Sequence, residues 1–430
     1  PDCVLWPRTE AEVEAAIEWC ESEKLALIPF GGGSSVVGGV EARLEGTHYN
    51  GAISLDLSNL NALLEVDDVS RAARLGAGAF GPQLETALAQ HGFTLRCFPQ
   101  SFEFSTLGGW IATRAGGHYA TGRTHVDDLV ESVRAITPMG IWESRRLPAS
   151  GAGPSPDRML LGSEGTLGVI TEAWMRVVPK PEQRASATVG FPSFEAGAEA
   201  ARAVVQSGML PSNCRLIDRN EAQLMFAGDG SFDLLFLGFE ANGYDPAPLL
   251  ADALKLCEEC GGKRLGTGGS NGADTADAWR SAFLQAPYLR DTLLQLGVIS
   301  ETFETSITWE RLDAFRHSVI AAVTQSLQEI CGGGRVSCRL THVYADGAAP
   351  YFTVLAPAER GDEVAQWDQI KRAASDALEA AGGTITHHHA VGRDHRPWYD
   401  KQRPDPFAAA LRAAKRELDP GGILNPGVLI

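Results

Sequence analysis

The chain has 430 residues, of which 44% are hydrophobic and 21% are charged, a composition typical of a globular protein with two domains or one large composite domain. Its formal net charge of −17 argues against nucleic-acid binding and against a basic membrane-binding patch, although local arginines can still bind a small anion. The sequence has no apolar stretch that approaches the roughly 20 residues needed to cross a bilayer.

The eight cysteines are scattered without the spacing of a disulfide framework. Cys257 and Cys260 form a Cys-x-x-Cys pair, but the sequence has no second pair that would complete a zinc site. We therefore expect reduced structural thiols and a cytoplasmic protein. Arginine outnumbers lysine 30 to 7, which is typical of a GC-rich bacterial genome.

Helices and strands are predicted to alternate in the first part of the chain. Residues 8–22 have the apolar spacing of a helix, with Thr9 as its N-cap, and residues 25–30 form an apolar strand. Further elements are expected as strands at 53–57 and 72–78 and as a helix at 81–91.

The pattern changes near residue 182 to long helices between strands. Asp245 is a favourable N-cap for one of them, with Pro246 at the first helical position. The long helices are expected at 193–206, 246–261, 362–381 and 407–418. This organisation predicts an α+β protein with a nucleotide-binding domain and an inserted substrate-binding or cap domain.

The strand at 25–30 runs directly into residues 31–39, which contain five glycines in nine residues. Glycine tolerates positive φ and leaves the backbone N–H groups accessible. Consecutive accessible N–H groups form a concave anion site that suits a pyrophosphate. The loop lacks the Gly-Lys-Ser/Thr of a P-loop and the spacing of a Rossmann fingerprint. Taken alone, it fits a phosphate-binding loop or a tight structural turn.

Three further glycine-rich elements occur, at residues 103–117, 161–172 and 425–427. The first mixes hydroxyl and small side chains, which would let the backbone approach a flat ligand. Each element alone is more often a structural turn. Together with the loop at 31–39, they resemble the FAD-binding domain of the vanillyl-alcohol-oxidase-type (PCMH-type) flavoproteins.

That resemblance implies that the first loop holds the FAD pyrophosphate and that the next two elements flank the flavin and the adenosine. Some of these flavoproteins attach FAD covalently through a histidine near the first loop. Ser34 and Ser35 stand there in this chain. We therefore expect non-covalent FAD.

Residues 383–392 contain three adjacent histidines, His387, His388 and His389, out of ten in the chain. The residue pattern predicts a strand in which His387 and His389 share one face. Imidazole titrates near neutral pH and suits proton transfer. A metal site is the alternative.

Flavin dehydrogenases of D-2-hydroxy acids build such a metal site from a His-x-His-x-Gly-Asp-Gly-Asn run. The nearest match in this chain is residues 341–348, which lack most of the ligand positions and have Ala348 where Asn would stand. We therefore predict no metal.

The chain resembles the alkylglycerone-phosphate synthase family of these flavoproteins over its whole length. Further landmarks of the resemblance are Arg215-Leu216-Ile217-Asp218, Phe303-Glu304-Thr305-Ser306, Cys338-Arg339 and the histidine triplet. It implies an α+β fold with an FAD-binding domain at 1–181, a cap or substrate domain at 182–405, and a segment at 406–430 that returns to the FAD domain.

The resemblance also assigns roles to individual residues. Tyr351 would be the catalytic acid–base, Arg290 would bind phosphate and Arg215 would lie beside the flavin. The three histidines complete the catalytic set, and Arg339 the substrate-binding set. The implied FAD-binding positions are Pro29, Gly31, Gly32, Gly33, Ser34, Ser35, Gln100, Ser101, Ser105, Thr106, Gly108, Gly109, Thr113, Arg114, Ala115, Gly116, Glu164, Gly165, Thr166, Gly168, Val169 and Ile170.

The implied activity is that of an FAD-dependent transferase of ether-lipid biosynthesis. It would exchange the acyl group of an acyl-dihydroxyacetone phosphate for a fatty alcohol through an adduct at flavin N5, without net oxidation. The alternatives are an FAD-dependent oxidase or dehydrogenase of a hydroxy acid or alcohol, and a flavin-binding protein that has lost catalysis. The resemblance further implies a homodimer, and a lipid-like phosphorylated substrate is compatible with peripheral membrane contact.

The chain departs from the family pattern at one position. The family has Asp where this chain has Gln100, so the carboxylate expected to pair with Arg215 is missing. Leaving a buried charge without its partner costs about 3–5 kcal/mol. Either another carboxylate, such as Glu304 or Glu164, serves this role, or the site takes a more anionic ligand.

Overall fold

The computed structural model of the protein describes residues 1–44, 47–119, 121–225, 227–265 and 288–430. Helices and sheets are both abundant, and the predicted α+β class is confirmed. The chain divides into two compact units: the first contains Pro1–Gly117, His125–Lys180 and His388–Ile430, and the second contains His118–Thr124 and Pro181–His387. The division into functional domains at 181 and 405 stays a prediction.

The first unit begins with a three-stranded parallel sheet, ordered Cys3–Leu5, Gly51–Asp56, Leu25–Phe30. The helix Glu10–Glu23 packs its apolar face on this sheet. As predicted, Thr9 is its N-cap, and the Thr9 hydroxyl accepts a hydrogen bond from the backbone N–H of Glu12.

A five-stranded antiparallel sheet forms the second layer of the first unit. Its strands, in spatial order, are Leu63–Asp67, Ala72–Gly76, Val169–Arg176, Val130–Thr137 and Gly140–Glu143. A two-stranded pair joins Phe93–Thr94 to Val178–Pro179. The other helices of this unit are Gly81–Ala89, Leu107–Thr113, Asp157–Leu160, Arg396–Gln402 and Asp405–Leu418, with a 3₁₀ turn at Val126–Asp128.

The C-terminal tail is tied to the edge of the parallel sheet. The N–H of Leu27 donates to the carbonyl of Ile423 at 2.8 Å, and the N–H of Asn425 donates to the carbonyl of Leu27, also at 2.8 Å. The half-buried Lys415 ammonium donates to the carbonyls of Thr166 and Leu424, both at 2.7 Å. The tail is therefore held against the strand that leads into the glycine loop.

The second unit is built on one antiparallel sheet. Its strands, in spatial order, are Lys263–Arg264, Gln183–Phe191, Asp233–Ala241, Asn213–Ile217, Arg335–Val343, Gly347–Pro357 and Val298–Glu304, with Ile307–Thr308 also paired to Gly347–Pro357. Four helices cover its apolar face: Phe194–Gln206, Ala247–Glu259, Leu312–Cys331 and Glu363–Ala381.

The opposite face of this sheet contacts the short helix Arg219–Leu224. A 3₁₀ turn lies at Trp309–Arg311, and residues 288–295 are helical. Within the described ranges, no helix is both long enough and apolar enough to span a membrane.

The sequence-based expectations for helix starts agree with the structure to within two residues. The helix expected at 193–206 is Phe194–Gln206, and Ser193 is its N-cap. The Asp245 carboxylate accepts the N–H of Ala247 at 2.9 Å, but the helix begins at Ala247, so that Pro246 is the N-cap rather than the first helical residue.

The predicted strand at 383–392 is wrong. This segment is irregular, and Ala390 has a φ of +73°, outside the extended region of a strand. The backbone N–H of His387 donates to the Glu304 carboxylate at 2.7 Å instead of to a neighbouring strand. The expectation that His387 and His389 share one strand face is therefore wrong as well.

Candidate active site

In the first unit, the glycine loop presents a row of unused backbone donors. The N–H groups of residues 31–36 donate to no acceptor in the described parts of the chain. The Ser35 hydroxyl instead accepts from the N–H groups of Val37 and Gly39, at 3.4 and 2.9 Å. Consecutive accessible N–H groups form a concave anion site, so this row fits an anionic ligand such as a pyrophosphate.

The first glycines of the loop are required by close packing against the next glycine-rich element. A Cβ added at Gly32 would lie 1.6 Å from the carbonyl oxygen of Phe104, and one at Gly31 would lie 2.2 Å from the hydroxyl of Thr106. Neither position has room for a side chain. The loop at 31–35 and residues 104–106 therefore form one continuous surface.

Glu164 and Asn425 connect the other two glycine-rich elements, residues 161–172 and 425–427, to the loop at 31–39. Glu164 is buried, and its carboxylate accepts the N–H groups of Val391 and Gly392 at 2.9 and 2.8 Å. The Asn425 amide donates to the carbonyls of Glu164 and Gly39, at 2.7 and 3.0 Å. All four glycine-rich elements thus converge within the first unit.

Burial raises the pKa of Glu164 to about 7, although its two backbone hydrogen bonds act in the opposite direction. The adjacent Ser163 hydroxyl is buried and has no hydrogen-bond partner among the described residues. An orphaned buried hydroxyl beside a row of free N–H groups fits a cofactor that carries both ring polar atoms and a pyrophosphate. The residues present therefore fit FAD.

Other predicted FAD positions are engaged mainly with one another. Ser105 accepts the Trp110 indole N–H at 2.6 Å and donates to the Ser101 carbonyl at 2.8 Å. The Thr113 hydroxyl donates to the Gly109 carbonyl at 2.8 Å. The remaining positions lie on the same elements, namely Pro29 at the end of a strand, Gln100 in a turn, Gly108 in a helix, Arg114, Ala115 and Gly116 after it, Gly165, Thr166 and Gly168 in a loop, and Val169 and Ile170 in a strand.

The histidine triplet is divided between the two units. His388 and His389 belong to the first unit, where their rings lie 4.8 Å apart edge to face. Burial, and then the nearby His388, lower the pKa of His125 in that unit. His387 belongs to the second unit.

In the second unit, strand register places several predicted residues on one sheet face. Arg339 is paired with Tyr351, and Tyr351 is paired with Glu304 on the next strand. Directly paired residues of an antiparallel sheet share a face. Arg215 joins that face, since it lies two residues before Ile217, the partner of Arg339. We refer to Arg215, Arg339, Tyr351 and Glu304 as the polar row.

The two arginines of the polar row are completely buried. The Arg339 guanidinium lies 3.8 Å above the centre of the Tyr351 ring, and one of its nitrogens binds the Glu221 carboxylate. The Arg215 guanidinium donates to the His118 carbonyl at 3.2 Å and lies 3.4 Å from the His118 ring nitrogen. Burial, followed by the charge of Arg339, lowers the pKa of Arg215 to about 9.

Tyr351 is the proton-bearing group of the polar row. Burial raises the pKa of its phenol, while Arg339 and a hydrogen bond with Thr302 oppose that rise. Glu304, its neighbour in register, adds to the rise. The phenol is therefore protonated at neutral pH and can donate a proton.

His387 lies in a polar cluster with residues that the sequence analysis did not select. Its Nε2 is 2.8 Å from the Tyr344 hydroxyl, which is 3.0 Å from the Thr124 hydroxyl. The rings of His342 and His387 lie 5.0 Å apart. Glu304 anchors this segment by accepting from the Thr386 hydroxyl and the His387 N–H, at 2.6 and 2.7 Å.

Glu221 is a further residue that the sequence analysis missed. The Asp218 side chain caps the helix Arg219–Leu224, which puts Glu221 in the first turn. The spacing of Asp218 and Glu221 is a recognisable helix-start signal. It does not reveal that the Glu221 carboxylate binds Arg339, because that contact depends on the sheet register.

The structure does not place Arg290 with the polar row. Arg290 is 44% exposed, and its guanidinium lies 3.9 Å from the Glu301 carboxylate. Glu301 is paired with Val354, so its side chain projects from the opposite face of the sheet from Tyr351. There, Glu301 binds the buried Lys371 at 3.0 Å. The phosphate-binding role of Arg290 stays a prediction.

The Cys-x-x-Cys pair has the chemistry of structural thiols. Cys257 is buried, and burial raises its pKa to about 12. A thiol that holds its proton so firmly is a poor nucleophile and a poor metal ligand. All eight cysteines lie in the described ranges and are free.

Comparison with known protein families defines the class of this protein. Residues 1–144 match the family described as "FAD binding domain", and residues 180–429 match "FAD linked oxidases, C-terminal domain". The fold and these matches define a flavoprotein of the vanillyl-alcohol-oxidase type with FAD as its cofactor. The sequence-based predictions of this fold and of FAD are confirmed.

Individual relatives narrow the class further. Alkyldihydroxyacetonephosphate synthase of Caenorhabditis elegans is 33% identical over 458 residues, covering 100% of this chain and 76% of that protein. The Dictyostelium discoideum synthase is 29% identical, covering 100% of this chain and 73% of that protein. A solved alkyldihydroxyacetonephosphate synthase structure matches with a TM-score of 0.81 at 26% identity, covering 98% of this chain and 75% of that one.

The chain belongs to the alkyldihydroxyacetonephosphate synthase family, which is also called the alkylglycerone-phosphate synthase family. It is an FAD-dependent enzyme of that type, and the resemblance found in its sequence is confirmed.

Proposed function

We propose that the protein exchanges the acyl group of an acyl-dihydroxyacetone phosphate for a fatty alcohol, with no net oxidation. Sequence similarity to the alkyldihydroxyacetonephosphate synthases supports this substrate class. The observation that carries the proposal is the polar row, in which a buried, protonated phenol lies between a guanidinium and a carboxylate. Such a row provides proton transfer and anion binding, which are what an exchange of acid for alcohol requires.

Tyr351 gives its proton to the acid as the bond between the acyl oxygen and the substrate carbon breaks. It then recovers a proton from the alcohol as the new carbon–oxygen bond forms, so that atoms and electrons balance. The buried Arg339 and Arg215 stabilise the negative charge that develops on the acyl oxygens as the bond breaks, before the proton is transferred.

His387 is suited to remove the proton from the carbon next to the ketone and to return it to that carbon once the alcohol has added, so that no proton is gained or lost. Its ring hydrogen bond to Tyr344 fixes the orientation of the imidazole. Residues 31–36 hold the FAD pyrophosphate in this proposal, with Ser163 and the neighbouring glycine-rich elements around the rest of the cofactor. FAD bound there would supply an electron-accepting ring.

Stopped-flow absorbance of the FAD-loaded protein tests the proposal. Mixing with acyl-dihydroxyacetone phosphate should diminish the oxidised flavin band, and addition of fatty alcohol should restore it without peroxide formation. A spectrum that is unmoved by this substrate but bleached by a hydroxy acid would reassign the protein as an oxidoreductase. A spectrum unmoved by either would indicate a flavin-binding protein without this catalysis.

Two further features belong to the proposal. We expect a homodimer, which sedimentation equilibrium at micromolar concentration measures directly. We also expect peripheral contact with membranes, because the substrate carries a long chain. Co-flotation with liposomes that contain the acylated substrate tests that contact, and protein that remains at the bottom of the gradient contradicts it.

A further inference from the structure

Glu221 is a carboxylate buried on the polar face of the second unit's sheet, with 0% of its surface exposed. Its helix is fixed by Asp218, which accepts the N–H of Glu221 at 2.8 Å and, across to the sheet, the N–H of Cys338 at 2.7 Å. Burying a carboxylate is costly unless both of its oxygens are satisfied by charge or hydrogen bonds. A carboxylate at such a position needs partners that offset the free energy cost of its desolvation.

Glu221 has such partners on both oxygens. One oxygen accepts the Ser337 hydroxyl, and the other binds a guanidinium nitrogen of Arg339. Ser337 and Arg339 are two residues apart on one strand, so they lie on the same face of the sheet. The carboxylate therefore cannot rotate without losing both contacts.

The arginine held in this way is the one that lies over Tyr351, at 3.8 Å from the ring centre. The cation alone favours ionisation of the phenol, whereas the Glu221 carboxylate offsets that charge. Glu221 thus has two effects at once, since it fixes where the guanidinium lies and partly offsets the positive charge of the guanidinium at the phenol.

We propose that Glu221 is the positioning residue of this site, which holds Arg339 over Tyr351 and partly offsets the positive charge of Arg339 at the phenol. The proposal rests on the proposed function, in which Tyr351 must carry a proton to the leaving acid. It also identifies the carboxylate that pairs with the buried Arg339.

The other groups near Tyr351 do not replace Glu221. The carboxylate of Glu304 is committed to the Thr386 hydroxyl and the His387 N–H. The charged and titratable groups on the sheet face of Tyr351 include Arg215, Glu304, Arg339 and His342, and Glu221 and His387 lie on the segments bound to that face. Among the described contacts, the Glu221 carboxylate is the one bound to Arg339.

The experiment is a pH titration of Tyr351 in the FAD-loaded protein, followed by ¹³C NMR with tyrosine labelled at Cζ. Tyr351→Phe identifies the signal. Glu221→Gln keeps the shape but removes the charge, so the Tyr351 pKa should fall by about one pH unit. In turnover assays, the alkaline limb of kcat should move to lower pH by the same amount.

Matched variants separate charge from packing. Glu221→Asp keeps the charge, so Tyr351 should titrate as in the unmodified protein. Asp233→Asn loosens the same helix by removing the partner of Arg219 but leaves Arg339 alone, and it should not move Tyr351. If Glu221→Gln does not fold, Arg339→Gln provides the test, because loss of the cation should move the Tyr351 pKa upward.

An unchanged Tyr351 signal in Glu221→Gln at every pH reached would overturn the inference, as would an equal shift in Asp233→Asn. The NMR titration needs neither substrate nor turnover. A shifted Tyr351 in a protein without exchange activity would leave the inference standing and refute the proposed function. If the Tyr351 pKa is unshifted in a protein that does carry out the exchange, the inference about Glu221 is refuted and the proposed function stands.

Discussion

The side-chain amide of Asn425 donates to the carbonyl oxygen of Glu164 at 2.7 Å, across 261 positions of the chain. The same amide reaches the carbonyl of Gly39 at 3.0 Å. One residue of the C-terminal tail therefore joins the glycine loop to the loop that carries Glu164. Both contacts are buried, so neither carbonyl can turn to water if the amide is removed.

Replacing Asn425 with Ala should lower the stability of the first unit by about 1–3 kcal/mol, because two buried acceptors lose their donor. The backbone φ of +40° at this position, which Asn tolerates better than Ala, adds to the loss. Thermal unfolding with and without FAD measures it. Asn61→Ala is the control, since its amide donates to Ser58 at the exposed surface and should matter by less than about 0.5 kcal/mol.

Replacing Gly32 with Ala should release FAD. The added Cβ would lie 1.6 Å from the Phe104 carbonyl, so the loop must move by more than an ångström. Overpacking of this kind costs about 1–3 kcal/mol and would displace the free N–H groups of residues 31–36. Flavin content after purification and the Kd for added FAD report the change. Gly151→Ala is the matched control, because no atom lies within 4 Å of its Cβ position.

The glycine loop is a feature that could be predicted from the sequence alone. Its composition predicted accessible backbone donors, which are local properties of residues 31–36, and the structure has them. The cap at Thr9 and the long helices were predictable for the same reason, because each depends on neighbours a few residues away.

Contacts fixed by sheet register were not predictable in this way. Arg339 meets Tyr351 through the register of two consecutive antiparallel strands, and it meets Glu221 because a helix 118 positions earlier in the chain packs on the same face. Arg290 and Tyr351 have equally suggestive residue types, yet the alternation along one strand puts Glu301, the contact of Arg290, on the other face. The prediction of a strand at the histidine segment is wrong because it rests on the alternation of residue types, whereas the His387 N–H is bound by the Glu304 carboxylate and not by a neighbouring strand.

The stability of the first unit should depend on pH through Glu164. Its pKa is raised from 4.5 to about 7, so the folded state holds a proton that the unfolded state loses first. The stabilisation is therefore complete below pH 4.5 and is lost as the pH rises through about 7, a loss of about 3 kcal/mol.

Glu164→Gln cannot ionise and should lack this dependence. The difference in unfolding free energy between the native chain and this variant should shrink by about 3 kcal/mol from pH 5 to pH 8. Denaturant unfolding of the FAD-free protein at both pH values measures it. A difference that stays constant would mean that the Glu164 carboxyl is ionised at both.

Replacing Tyr351 with Phe should abolish exchange while leaving FAD bound. The change removes only the proton-bearing hydroxyl, and general acid–base groups contribute about 10²–10⁴-fold to rates. The measurements are turnover and flavin content of the purified variant. Tyr244→Phe, at a side chain that is 54% exposed, should behave as the unmodified protein. Turnover near the native rate in Tyr351→Phe would remove this phenol from the mechanism.

Replacing Arg290 with Ala distinguishes two places for the substrate phosphate. If Arg290 binds that group, loss of its guanidinium should raise KM by about tenfold or more with little change in kcat, since a charged hydrogen bond contributes about 1.5–3 kcal/mol to binding. Its exposure and its distance from Glu301 leave the guanidinium able to change partners. Glu301→Gln should then lower KM, because it removes the competing carboxylate. If KM is unchanged in both variants, the phosphate binds elsewhere, and the buried arginines of the polar row become the next residues to test.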